Sequence, residues 1–147
     1  MPATALRNFA VLYPMFALAA WTLLVLLLIP VARVRSARRR EIVVDDFKYG
    51  ESPAVPPAVS IPNRNYMNLL ELPMLFYVVC IVLYVTAGAS TTTIALAWAF
   101  VALRIVHSLV HLSYNHVLHR LAAFSAANVA LVVLWVTAGV HLAAAPS

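Results

Sequence analysis

Residues 94–112 read IALAWAFVALRIVHSLVHL, an apolar run interrupted by Arg104, His107 and His111. A run of this length and hydrophobicity crosses the hydrocarbon core of a bilayer as an α-helix. Arg104, His107 and His111 fall at i, i+3 and i+7, which places them on one helical face. An ionisable side chain in a spanning helix costs roughly 2.5–3.5 kcal/mol on insertion scales and turns to a bundle interior or a wet cavity. Arg104 sits mid-span, too far from the interface to snorkel. The stretch therefore implies a membrane helix with a polar inner face, and further helices to cover it.

Those helices are legible on either side. Apolar runs over about 9–31, 62–86 and 121–143 join 94–112 to make four spans. The expected fold is an all-α membrane protein, a four-transmembrane-helix bundle occupying residues 1–147 as a single domain. Composition agrees. Hydrophobic residues make up 64% of the chain and charged residues 10%, against about 25% charged in soluble domains. Mean hydropathy is +0.91, so there is too little polar surface to cover a water-soluble globule. Ala17-Leu18-Ala19 has the look of a signal-cleavage motif. The apolar run continues past it into a basic stop-transfer pattern, which favours a retained helix.

Charge sets the expected orientation. Seven of the ten Lys and Arg residues lie between Arg33 and Arg64. A basic cluster beside a span marks the cytoplasmic side rather than a nucleic-acid surface. The connection between the first two spans is then cytoplasmic, as is the 3–4 junction, and both termini are extracytoplasmic. Pro53, Pro56, Pro57 and Pro62 predict an extended second half of the first connection. Ala87-Gly88-Ala89-Ser90 and three threonines form a short turn. No proline or glycine marks the 3–4 junction, where Ser113, Tyr114, Asn115, His116, His119 and Arg120 gather. The third helix is allowed to run on toward His119.

The second span carries its own polar face: Arg64, Asn68 and Glu71 at i, i+4 and i+7. The structural alternative is an inter-helix salt bridge and hydrogen bond. Two such faces on two helices favour a binding site. A single set of four helices leaves Arg64, Asn68, Glu71 and Arg104 short of partners, which implies a homo-oligomer. Cys80, the one cysteine, reads as apolar packing, and Trp21, Trp98 and Trp135 as interface or packing aromatics. Ala122, Ala123, Ser125, Ala126 and Ala127 form a small-residue face for close helix packing. Arg38-Arg39-Arg40 reads as an orientation and lipid-headgroup signal, and Asp45 and Asp46 as solvated loop charges.

The run Arg64-Asn-Tyr-Met-Asn68-Leu-Leu-Glu71 resembles the second-helix motif of the MAPEG family, the membrane-associated proteins in eicosanoid and glutathione metabolism. Arg104-Ile-Val-His107, followed sixteen residues after Arg104 by Arg120 and then Phe124, is similar to its third-helix pattern. Arg33 and Arg35 resemble the basic end of the family's first helix. His111 stands where the family's glutathione transferases often carry tyrosine. Pro73 comes two residues after the glutamate rather than three or four, and the proline-containing 3–4 turn of many members is missing.

The resemblance implies a homotrimer that binds glutathione between subunits near the cytoplasmic face. Arg33, Arg64, Asn68, Glu71, Arg104, His107 and His111 would form the thiol-peptide site, and Arg120 would be catalytic, holding the thiolate. The activity implied is that of a membrane-bound, glutathione S-transferase-like or peroxidase-like enzyme. It would activate glutathione or a related thiol for attack on a lipophilic electrophile or peroxide arriving from the bilayer. One alternative is a non-catalytic MAPEG-like protein that binds lipid or thiol. A second is a haem or metal protein. His107, His111, His116 and His119 all lie on or just after one helix, whereas axial haem ligands need facing histidines on two helices, so no metal or haem is expected.

Overall fold

The computed structural model describes residues 8–144; the first seven and last three residues, and with them the chain ends whose sidedness was expected above, lie outside the described residues. A 3-10 turn at Phe9–Val11 opens the chain. The side chain of Asn8 caps it by accepting from the Ala10 N–H at 3.0 Å. Helix α1 follows over Tyr13–Arg38. Pro14 sits in its first turn, where a missing N–H costs nothing. The helix runs past residue 31, so Arg35 and Arg38 occupy its last turn, where cations suit the carbonyl end. Arg40 takes a left-handed conformation (φ 58°), and the Glu41 N–H returns to the Ser36 carbonyl at 3.1 Å, closing the helix as a Schellman motif does. The Ser36 hydroxyl also donates to the Glu41 carboxylate.

The second span, expected as one helix over 62–86, is two. Helix α2 covers Pro57–Leu70 and α3 covers Pro73–Val85. The break falls at Glu71, whose ψ is −87°. Pro73 has no N–H to offer the Leu69 carbonyl, and its ring crowds that oxygen. The same ring opens α3 without cost, at a position where the N–H has no intrahelical partner. The extended stretch expected through Pro62 ends at Pro56: Pro57 starts α2 and Pro62 lies inside it.

Helix α4 covers Thr91–Leu112. Ser90 and Thr93 form a reciprocal capping box: Ser90 Oγ accepts from the Thr93 N–H at 3.2 Å, and Thr93 Oγ1 accepts from the Ser90 N–H at 2.8 Å. The turn before it uses Ala87 at φ 56° and the Gly88 N–H bonded to the Leu83 carbonyl at 2.8 Å. Gly88 lies under the His141 ring, so close that a Cβ there would stand 2.5 Å from His141 Cδ2. His141 Nε2 donates to the Thr86 carbonyl at 3.0 Å.

The third helix does not continue toward His119. It ends at Leu112, with Asn115 left-handed (φ 50°) and its N–H bonded to the Val110 carbonyl at 2.8 Å. Asparagine tolerates that conformation better than other non-glycine residues do. Helix α5 covers Val117–Ala143. It begins before residue 121, which puts Arg120 in its first turn.

Four helical segments, Phe9–Arg38, Pro57–Val85, Thr91–Leu112 and Val117–Ala143, are long and apolar enough to cross a membrane. The chain is an all-helical, multi-pass integral membrane protein. Lipid tails are as apolar as leucine, so helices associate here through close packing and polar contacts. α4 packs along α5, and α1 along α2 and α4. α5 turns Ala123, Ala127, Ala130, Leu131, Leu134 and Ala138 inward, and the four alanines let the helices approach. Ala122, Ser125 and Ala126 of the same small-residue cluster face outward. Phe76 and Phe100 stack at 4.5 Å between α3 and α4. Cys80 is fully buried beside them in the core. Leu23, Leu24, Leu27, Val132 and Val136 cover the outside.

Candidate functional site

One face of α4 collects the buried polar groups. Arg104, His107 and His111 are 0%, 4% and 3% exposed. Arg104 is held by an Nη2–H donated to the Asn68 backbone carbonyl, just before the break between α2 and α3. Its guanidinium lies 5.5 Å from the centre of the Phe124 ring of α5. The Glu71 carboxylate attracts it without a direct ion pair. Its Nε and Nη1 are buried with no hydrogen-bond partner.

His107 meets the same ring, at 5.8 Å between centroids. Its Nδ1 lies 3.0 Å from the Arg120 carbonyl. A carbonyl only accepts, so Nδ1 carries the proton, and Nε2 is a buried acceptor with no partner. His111 stands 6.0 Å from His107, centroid to centroid. Its Nδ1 is 2.9 Å from Asn115 Oδ1. Arg120 Nη1 donates to that same oxygen at 2.7 Å, and Arg120 Nε is buried and unpartnered.

The structure therefore gathers Arg104, His107, His111 and Arg120, with the Asn68 carbonyl at the edge. It does not bury the side chains of Arg64, Asn68 and Glu71 with them, although Glu71 keeps the helical bond from its N–H to the Met67 carbonyl at 3.2 Å. Arg64 and Glu71 point to the outer surface of the chain, and Asn68 is half-buried. Arg33 lies elsewhere. Its guanidinium stacks 4.4 Å over the Phe47 ring of the first connection, and no described contact joins it to the α4 cluster.

Three polar residues were not singled out from sequence. Asn65 is fully buried and donates through Nδ2 to Ser108 Oγ at 2.6 Å. Trp21 Nε1 donates to the same hydroxyl at 2.9 Å, so α1, α2 and α4 are tied at one oxygen. The signal for Ser108 was its place four residues after Arg104. Asn115, the third, carried a signal in its tolerance of left-handed backbone.

Buried polar groups left unpartnered cost about 1–3 kcal/mol each. Three guanidinium nitrogens and one imidazole acceptor in this state suit a small ligand with anionic and donor groups. Among the described residues no three His, Cys, Asp or Glu side chains converge as metal ligands would. No curated protein and no solved structure matches the chain. The sequence model of the MAPEG family matches residues 11–140, a stretch that contains all four spans' apolar cores and every residue of the α4 cluster, and the chain belongs to the MAPEG family.

Proposed function

We propose that the protein binds glutathione, or a closely related thiol, and activates it for attack on a lipophilic electrophile or peroxide dissolved in the bilayer. The observation that carries this reading is the set of buried, unpartnered nitrogens on Arg104, Arg120 and His107. Glutathione offers two carboxylates, an α-amine and a thiol. Arg104 and Arg64 pair with the carboxylates through charge-assisted bonds. Glu71 accepts from the α-amine, and Arg120 faces the sulfur. Free thiols ionise near 8.5, and bringing one to about 7 takes roughly 2 kcal/mol. One guanidinium in a partly dry site supplies that much. The amides at the start of α5 add positive potential beside it.

Arg64 and Glu71 face outward from a single chain, in a segment apolar enough to cross a membrane, where lipid-facing charge is costly. A homotrimer covers them and brings a neighbour's Arg33 toward the site, with the basic first connection on the cytoplasmic side. A detergent-corrected mass of one chain, under conditions that retain thiol binding, contradicts the assembly.

The test of the chemistry is Arg120→Leu. The bound thiol's ionisation should rise toward its free value. Conjugation at pH 7 should fall about tenfold for each pH unit of that rise and recover in part near pH 9. Thiolate absorbance of the bound ligand against pH decides the matter, and an unaltered titration removes Arg120 from catalysis. Binding without any conjugation by the wild-type protein supports the non-catalytic alternative.

A further inference from the structure

We propose that His111 takes the proton of the bound thiol, and that Asn115 is the positioning residue that prepares it to do so. The proposal rests on the thiol-activating reading above and adds where the proton goes.

One oxygen joins the two turns. Arg120 Nη1 and His111 Nδ1 both lie within hydrogen-bond distance of Asn115 Oδ1, at 2.7 Å and 2.9 Å. A guanidinium can only donate, so the atom facing it is the carboxamide oxygen. That oxygen can only accept, so His111 Nδ1 must be the protonated nitrogen. In the neutral ring the lone pair then resides on Nε2. Asn115 thus does two things with two lone pairs. It selects the His111 tautomer whose outer nitrogen is a base, and it holds the Arg120 guanidinium next to that base.

The backbone explains why an asparagine stands here. Residue 115 is left-handed, at φ 50°, in the turn that joins α4 to α5. Asparagine tolerates this conformation and still projects an acceptor, which glycine does not. The spacing does the rest: His111 is four residues before it on the last turn of α4, and Arg120 five residues after it on the first turn of α5.

The step balances within the site. The thiol S–H bond breaks and its electron pair stays on sulfur. The proton forms an N–H bond at His111 Nε2, giving an imidazolium and a thiolate, and Arg120 pairs with the thiolate. When the sulfur attacks the electrophile, the imidazolium can return the proton to the leaving group. The charged and titratable groups acting on His111 are Arg64 from α2, His107 from its own helix and Arg120 from α5. His107 also has a bare Nε2, but its Nδ1 is tied to the Arg120 backbone, whereas His111 shares an acceptor with the guanidinium itself.

The experiment follows protons and sulfur together. Glutathione is titrated into the detergent-purified, full-length protein near neutral pH. Thiolate absorbance reports ionisation, and calorimetry in buffers of different ionisation enthalpy reports protons released. S-methylglutathione, which has no thiol proton, is the blank. Thiolate formation with no net proton release is expected of the wild type. Thiolate formation with a full proton released overturns the proposal and leaves the thiol-activating reading intact. Absence of thiolate overturns both.

The variants locate the acceptor. His111→Gln should release the proton to buffer and slow conjugation at neutral pH about 100-fold, with recovery as pH rises. His107→Gln should keep the proton on the protein; release in that variant, and not in His111→Gln, overturns the assignment. Asn115→Gly preserves the backbone and removes the oxygen, and should release part of the proton. Full proton retention in Asn115→Gly overturns the role of Asn115.

Discussion

α4 turns Arg104, His107 and His111 into the protomer, where each is almost wholly buried, whereas α2 leaves Arg64 and Glu71 on the outside. Both helices carry polar residues over two turns of an otherwise apolar segment. The difference comes from what each helix meets. α4 lies against α1, α2 and α5; α2 and α5 supply the Asn68 carbonyl, the Arg120 carbonyl and the Phe124 ring, and the turn into α5 supplies Asn115. α2 presents Arg64 and Glu71 on a side that the described residues leave exposed. The chain supplies most of the inner face's contacts and leaves nitrogens on Arg104, His107 and Arg120 unpartnered; the outer residues are the ones the proposed trimer would cover.

Substitutions can break this contrast. The largest effect is expected from Arg104→Ala, which removes a fully buried side chain, leaves a cavity and strips the Asn68 carbonyl of its donor. The loss should be about 3 kcal/mol, read as a lowered thermal midpoint in detergent with or without thiol. A midpoint equal to wild type would mean that α4's polar face contributes nothing to the fold. Glu71→Ala should act the other way round. Stability of the chain should change by no more than about 0.5 kcal/mol, while glutathione binding weakens about tenfold, roughly 1.4 kcal/mol. An unchanged dissociation constant takes Glu71 out of the site. The smallest effect is expected at the far end of the bundle. Gly88→Ala places a Cβ against His141 and displaces its bond to Thr86, costing about 1 kcal/mol of stability. Thiol affinity should stay as it is; a parallel loss of binding would show that the two ends of the bundle are coupled.

Much of the inner face was readable from the chain alone. The 3.6-residue period put Arg104, His107 and His111 on one side, and the cost of burying ions in lipid assigned that side to the interior. The number of apolar runs also carried over to the structure. Two features were hidden. A proline acts upstream of itself, so Pro73 broke the helix at Glu71 while the hydrophobic run read straight through. The 3–4 junction had neither proline nor glycine, and the residue that makes the turn, Asn115, looked like one polar side chain among several. Its part in the site depends on an oxygen shared by two residues nine apart, a relation that helical periodicity does not encode. Asn65 and Ser108 were hidden for a related reason: one hydroxyl joins three helices, and only tertiary structure brings them together.

Cys80 has a practical consequence for all of these measurements. It is the chain's one cysteine and is 0% exposed, walled in among Phe76, Val79, Leu83 and their neighbours. A thiol-reactive dye added to the native protein therefore meets no accessible sulfur belonging to the polypeptide. Any rapid labelling reports the small-molecule thiol, without the cysteine-free background that such assays ordinarily demand. The same seclusion makes the protein a ready host for single engineered cysteines. A probe placed at outward-facing Ser125 or Ala126 would be the only reactive handle on the surface, and a cross-linked dimer would show that this face lies near a neighbouring subunit.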